Sequence, residues 1–385
     1  MHTQTGRERV VRALNHQEPD RVPLDLGGFQ SGITMTAYNR LKEYLGIRTP
    51  TTILERIQQL ATLEERILEE FGIDTRYVFP RPSSQWDPDE RPDNSYRNEW
   101  GTRWRKPETS FYYDPVEFPL ADASISDLDR HPWPDPDDPS RVAGLRAQAR
   151  EIHEQGTYAL CTSVAGVFED SWYLTGLERI MIDLVENPAF VEHLLDRMLE
   201  IQMGIYGHLL EEIGEYLDLI EFWEDISSQA GPLMSPDMYR RMVKPRTQRL
   251  VAFLRDHTDA KIAQHSCGSV AWALDDLIEI GVEVLNPVQV AAEGMDTALL
   301  KARYGDRLSF WGGIDTQRVL PRGTPEEVRE EVRTRIRDLA PGGGYLLTSV
   351  HNIQPDVPAE NIVAMFDEAR RYGQYPLNPL NATGA

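Results

Sequence analysis

Apolar and polar positions fall in two alternating patterns along this chain. Short apolar runs that end in a small or polar residue are each followed by a longer stretch with apolar residues every three to four positions. The first pattern reads as a strand buried on both faces, the second as an amphipathic helix. Eight runs qualify as strands: 21–27 "RVPLDLG", 72–79 "GIDTRYVF", 157–164 "TYALCTSV", 216–224 "YLDLIEFWE", 260–266 "AKIAQHS", 282–287 "VEVLNP", 307–314 "RLSFWGGI" and 344–350 "GYLLTSV". Helical spacing covers 38–46, 52–72, 188–214, 235–257 and 325–340. Ser235, Pro236 and Asp237 have the order of an N-cap, a first-turn proline and an acidic first turn. Pro245 marks a kink or a restart inside 235–257.

Eight strands alternating with helices predict an α/β fold, a (β/α)8 TIM barrel, with a doubly wound open sheet as the alternative. One domain is expected over residues 1–385. Residues 80–140 interrupt the alternation; they are rich in Pro, Asp and aromatic residues and have little helical spacing. They read as an elaborated insertion after the second strand, with a small hairpin around Trp100 to Tyr113. Such insertions often build pocket walls on the catalytic face of a barrel. Trp100, Trp104, Phe111, Tyr112 and Tyr113 are either an aromatic pocket or a local core.

Composition narrows the class of function. A net charge of −22, from 62 acidic and 40 basic residues, disfavours nucleic acid and anionic membrane as partners. Cys161 and Cys267 are the only cysteines, too few for a secreted disulfide framework, which predicts a reducing, cytoplasmic setting. No signal-like apolar core opens the sequence, and no apolar run reaches the roughly 18 residues of a spanning helix. A monomer or homodimer is expected.

In a barrel, chemistry collects at the C-terminal ends of the strands. Those ends carry Ser163, then Glu224 and Asp225, His265 and Cys267, Asn286 with Gln289 nearby, Asp315, and finally His351, Asn352 and Gln354. His265-x-Cys267 puts an imidazole and a thiol on one side of extended backbone. Catalytic zinc takes three nitrogen or sulfur ligands and keeps one position open, and His351 is the natural third ligand. H-x-C alone is more often a hydrogen-bonded buried histidine beside a small core thiol. Glu224 and Asp225 follow a strand too apolar to end in two idle carboxylates. Direct metal contact is expected of Glu224, and an orienting or proton-handling role of Asp225. The bland alternative pairs them with Arg240 or Arg246. Asn286, Gln289 and Asn352 are the candidate substrate-binding residues.

Three segments carry a family resemblance: "ERVVRALNHQEPDRVPLDLGG" near the start, "WEDISSQAGPLMSPDMYRRMVKPR" with "HSCGSV" in the middle, and "GGYLLTSVHNIQPDVPAENIVAMFDEARRYG" at the end. The chain resembles the uroporphyrinogen decarboxylase superfamily over nearly its whole length, and within it the zinc-dependent methyltransferase branch. The resemblance implies a (β/α)8 barrel. The decarboxylase branch carries an arginine-rich segment after "RVP"; here Arg40 is the only arginine in "PLDLGGFQSGITMTAYNR". The methyltransferase branch has H-x-C and a later cysteine, and His351 stands where that cysteine stands.

The resemblance therefore implies one Zn2+ held by His265, Cys267 and His351. It also implies a small-molecule methyl donor and a corrinoid, on a separate protein, as methyl acceptor. Exchanging a thiolate for an imidazole leaves the site with a net charge of plus one, a stronger Lewis acid suited to an ether oxygen. A methoxylated donor is thus expected. The competing readings are a decarboxylase or lyase of a small carboxylated compound, and a ligand-binding barrel without catalysis.

Overall fold

The computed structural model describes residues 3–377. Ten strands matter here. They are β1 (Thr75–Tyr77), β2 (Ser95–Arg97), β3 (Arg103–Arg105), β4 (Asp114–Glu117), β5 (Ala159–Ala165), β6 (Leu219–Trp223), β7 (Lys261–His265), β8 (Val284–Asn286), β9 (Ser309–Ile314) and β10 (Tyr345–Ser349). Seven form one parallel sheet in the order β10-β9-β8-β7-β6-β5-β1. Helices on its outer face make it the curled sheet of a (β/α)8 barrel.

The eighth run, 21–27, occupies the seam between β10 and β1 without forming a regular strand. Its backbone bonds both neighbours: Asp25 N–H to Leu347 O and Leu347 N–H to Pro23 O on one side, Asp74 N–H to Leu24 O on the other. Pro23 has no N–H to extend the ladder. Arg9 and Arg21 both pair with the buried Asp74, which also accepts the Leu24 N–H. The helix Gly6–Leu14, started by a Thr5–Glu8 capping box, closes the bottom. Its Val10 and Leu14 pack on the inward Ala159, Cys161, Leu219, Ala263, Val284, Trp311 and Leu346. Cys161 is thus a core thiol, as its place inside a strand predicts.

Helices Pro188–Ile213 and Pro325–Leu339 follow the predicted spacing. The stretch 235–257 restarts at Val243, with Pro245 in the first turn of Lys244–His257. Residues 52–72 depart from expectation. Only Glu65–Phe71 is helical; Ile53–Glu55 and Leu60–Ala61 pair as a short hairpin. The Glu55 carboxylate accepts the N–H groups of Ile57 and Gln58, and a side chain that captures nearby backbone in this way competes with helix. The insertion holds a three-stranded antiparallel sheet, β2-β3-β4, where a hairpin was predicted. Tyr96, Trp104 and Tyr113 form its own small core, while Trp100 and Trp104 also face the main cavity.

Candidate metal centre and cavity

Period two along β6 decides what points into the barrel. Leu219 is inward, so Glu221, Trp223 and Asp225 follow on that face, and Glu224 points away. On β7, Ala263 is inward, which places His265 and Cys267 above it. His351 arrives from the end of β10. One nitrogen from each imidazole and the Cys267 sulfur lie within 4.8 Å of one another. The His265 Nε2 to Cys267 Sγ distance is 3.4 Å, and the two imidazoles meet edge to face.

The surroundings fit a zinc site in most respects. His265 Nδ1–H donates to Asn286 Oδ1 at 2.5 Å, leaving the Nε2 lone pair toward Cys267. Burial lowers His265 to about 4, opposed by the Asn286 bond. Burial and then the neighbouring His265 lower His351 to about 3. Both rings are therefore neutral near pH 7, as ligands must be. Burial and the carboxylates of Asp225, Glu169 and Glu221 hold the Cys267 thiol well above its ordinary value. A cation there is what stabilises the thiolate. His351 Nδ1 accepts the Asn352 N–H at 2.8 Å, so ligation through Nε2 requires the ring to release that bond and carry its proton on Nδ1.

Asp225 accepts the Cys267 N–H at 2.6 Å and faces His351. Its own N–H donates to Glu169, which also accepts from the Tyr173 hydroxyl. Burial raises both carboxyl groups, and their mutual repulsion raises Glu169 further. Beneath the triad, Glu221 accepts from Ser163 at 2.9 Å and lies 3.9 Å from His265 Nδ1. Burial pushes it to about 8, with Ser163 opposing and Asp25 adding. Asp25 receives Thr75, Tyr77 and Trp311. These acids escape a reading of strand ends alone: Glu221 sits inside a strand and Glu169 in a helix first turn.

Three expected roles are corrected. Glu224 is fully buried and accepts three backbone N–H groups, from Val167 (2.6 Å), Phe168 (3.1 Å) and Glu169 (2.8 Å). It caps the helix Phe168–Thr175, so its oxygens are committed away from the metal position. Its expected alternatives are also engaged elsewhere, Arg240 with Asp276 and Arg246 with Asp196. Gly166 makes the cap possible, because a Cβ there would lie 2.3 Å from Trp223 O and 2.6 Å from Glu224 Oε2. Asn286, buried, orients His265 and lines neither of the two cavities beside the triad. Asn352, buried, ties the seam: it accepts the Gly32 N–H and donates to Phe29 O and Gln58.

A cavity of about 1210 Å³ opens onto His265, His351 and Asp225. Its inner wall carries a stack of Phe29, Phe79 and Tyr77, with Trp223 edge-on to Phe29. Gln289 is not in this cavity; it lies in a smaller pocket beside Cys267 and accepts the Gly268 N–H.

Residues 112–372 match the sequence model of the uroporphyrinogen decarboxylase (URO-D) family. A uroporphyrinogen decarboxylase of Alkalilimnicola ehrlichii is 24% identical over 94% of this chain and 92% of its own length. The methylcobamide:CoM methyltransferase MtaA of Methanosarcina barkeri is 30% identical, over 47% of this chain and 49% of its own. In solved structures, a methyltransferase from Methanosarcina mazei superposes with a TM-score of 0.64 at 18% identity, covering 96% of this chain and 99% of that one. No helix among the described residues is long and apolar enough to cross a membrane.

Proposed function

Since the chain belongs to the uroporphyrinogen decarboxylase family, we propose that it is a zinc-dependent methyltransferase of that family. In this reading it demethylates a methoxylated small molecule and passes the methyl group to a corrinoid on a separate protein. The observation that carries the reading is the convergence of His265, Cys267 and His351, two of them at one strand end and the third at another. A bound Zn2+ supplies Lewis acidity toward the donor oxygen that keeps the bonding pair.

The chain's own residues do the rest. Asn286 fixes the His265 tautomer, and Asp225 holds the backbone of Cys267 and faces His351. The Phe29, Phe79 and Tyr77 stack presents an apolar surface to an aromatic donor and keeps water from the reacting carbon. Glu169, beside Asp225, is placed to hold a proton for the leaving oxygen.

The cavity charge argues against a substrate with many carboxylates. Arg76 is held by Glu65, Arg141 by Glu99 and Arg56 by Glu90, and Arg81 is exposed. Nearer the triad the wall carries Glu169, Asp170 and Asp225, none with a Lys or Arg partner among the described residues. A polycarboxylate needs free cationic donors there. Metal analysis, followed by spectrophotometry of cob(I)alamin with 2-methoxyphenol, tests the proposal. One zinc per chain with methylcobalamin formation supports it. No zinc, or uroporphyrinogen decarboxylation without methyl transfer, overturns it.

A further inference from the structure

The triad is bordered by two chambers of opposite character. The large cavity touches His265 and His351 but not Cys267. A second pocket of about 340 Å³ touches Cys267 and His351 but not His265. The two meet at His351 and Gln58, which line both.

The second pocket has an unusual wall. Among the described residues five carboxamides face it, from Gln58, Gln229, Gln289, Gln317 and Gln354, and neither a carboxylate nor a cationic side chain does. Within a chain of net charge −22, a polar surface without formal charge at the candidate centre is selective. Several of these amides have hydrogen-bonding capacity left over. Gln289 uses its Oε1 on the Gly268 N–H, and Gln58 uses its Oε1 on Asn352; the NH2 group of each makes no bond among the described residues. Gln354 donates to Asn352 O, and its own oxygen accepts no bond among the described residues. The wall thus offers donors and acceptors together, the complement of a ligand that is itself an amide.

The rim is held in place by backbone. Gly268, at φ +89°, lies where a Cβ would be 2.4 Å from Ser228 O. Its N–H and that of Ser269 tie the Cys267 loop to Gln289 and Ser228. The pocket therefore has a fixed floor at the Cys267 sulfur.

Building on the methyltransferase reading above, we propose that this carboxamide pocket is a separate port for the methyl acceptor, and that it recognises an uncharged, amide-bearing partner, the chemistry of a corrin ring edge. Methyl transfer by displacement needs the leaving atom and the nucleophile in line on either side of the carbon, so donor and acceptor cannot share one approach. Two chambers meeting at one centre meet that need. In the step itself, the donor C–O bond breaks with its pair on oxygen. The lone pair of a cobalt(I) corrinoid forms the C–Co bond, cobalt becoming formally cobalt(III), and the released oxygen takes the proton held at Glu169, which solvent then restores. A pocket of this volume takes a few edge carboxamides, with the macrocycle itself seated across its mouth. That is the arrangement expected of a corrinoid presented by another protein.

The probe is free methylcobalamin, titrated by tryptophan fluorescence and equilibrium dialysis against the zinc-loaded protein, with 2-methoxyphenol titrated in parallel. Gln229→Glu/Gln317→Glu places charge at two exposed rim positions, and Thr316→Trp narrows the pocket. Methylcobalamin affinity should fall about 3- to 10-fold in the first and at least about 10-fold in the second, a loss of roughly 1.4 kcal/mol per factor of ten. Zinc content and 2-methoxyphenol affinity should stay at wild-type values. Unchanged methylcobalamin affinity in both variants overturns the port, as does a wild type that does not bind methylcobalamin, or variants in which only donor affinity falls. Failure of the underlying reading looks different: a wild type without zinc and without methyl transfer in either direction.

Discussion

Replacing Glu224 distinguishes a helix cap from a metal ligand, the two jobs open to a carboxylate beside this centre. In the folded protein it accepts three N–H groups at the start of Phe168–Thr175 while fully buried. Glu224→Ala strands all three donors. A buried donor left without a partner costs about 1–3 kcal/mol. Allowing for water entering the space left by the side chain, the total is roughly 3–6 kcal/mol, a large part of a typical ~5–15 kcal/mol stability. Glu224→Gln keeps one oxygen, and its NH2 group opposes at least one N–H, so the loss should be about 1–3 kcal/mol. The assay is denaturant unfolding followed by far-UV circular dichroism, with zinc measured on the same samples. Both variants should lose stability in that order while the folded fraction keeps its zinc. A Glu224→Ala protein of wild-type stability that has lost its zinc would refute the argument and return Glu224 to the metal.

Cys267→Ser should lose bound zinc and turnover while staying folded and unfolding at the midpoint of zinc-free wild type, because the thiol lies above the packed barrel layer; retained zinc with full turnover removes Cys267 from the site. His351→Cys should keep zinc but slow transfer from an ether donor at least several-fold, since a second thiolate lowers Lewis acidity; equal rates for ether donors show that ligand charge does not select the chemistry. Burial raises Asp170 to about 7, opposed by bonds from Trp223 and Gln202. The folded protein thus holds a proton that the unfolded chain releases near pH 4. The resulting stability is complete below about pH 4 and is lost as pH rises through about 7. Asp170→Asn should flatten the fall in melting temperature over that window, and an unaltered pH profile excludes Asp170 as its source.

Much of the barrel was legible because buried parallel strands are short apolar runs, and the grouping of His265, Cys267 and His351 because strand ends converge at the barrel mouth, which H-x-C alone does not show. Glu224 shows where reading by proximity fails. It is adjacent to Asp225, but a strand turns neighbours to opposite faces, so period two from Leu219 selects Glu221 and Asp225 and excludes Glu224. The same count would have found Glu221. Glu169 could be found only through tertiary structure, since its role depends on the loop after β5 meeting the end of β6. The helical reading of 52–64 failed for a local reason: Glu55 turns back on its own backbone, which a three-to-four spacing does not reveal. Asn352 was placed in the substrate site because it follows His351, yet its amide holds a contact 320 positions away in the chain.

That contact belongs to the seam where 21–27 lies between β10 and β1. The barrel closes only when segments from the two ends of the described chain meet, with Val22 N–H on Gly373 O and Tyr375 N–H on Asp20 O. Such long-range closure comes late in folding, and during synthesis the last strand is also the last made. His265 and Cys267 therefore exist as a two-donor fragment well before His351 reaches them. A half-made chain offers a weak, open chelate, and a finished one a three-donor site. On the proposed zinc reading, closure of the seam thus precedes full affinity for the metal and favours capture by chains whose fold is already complete.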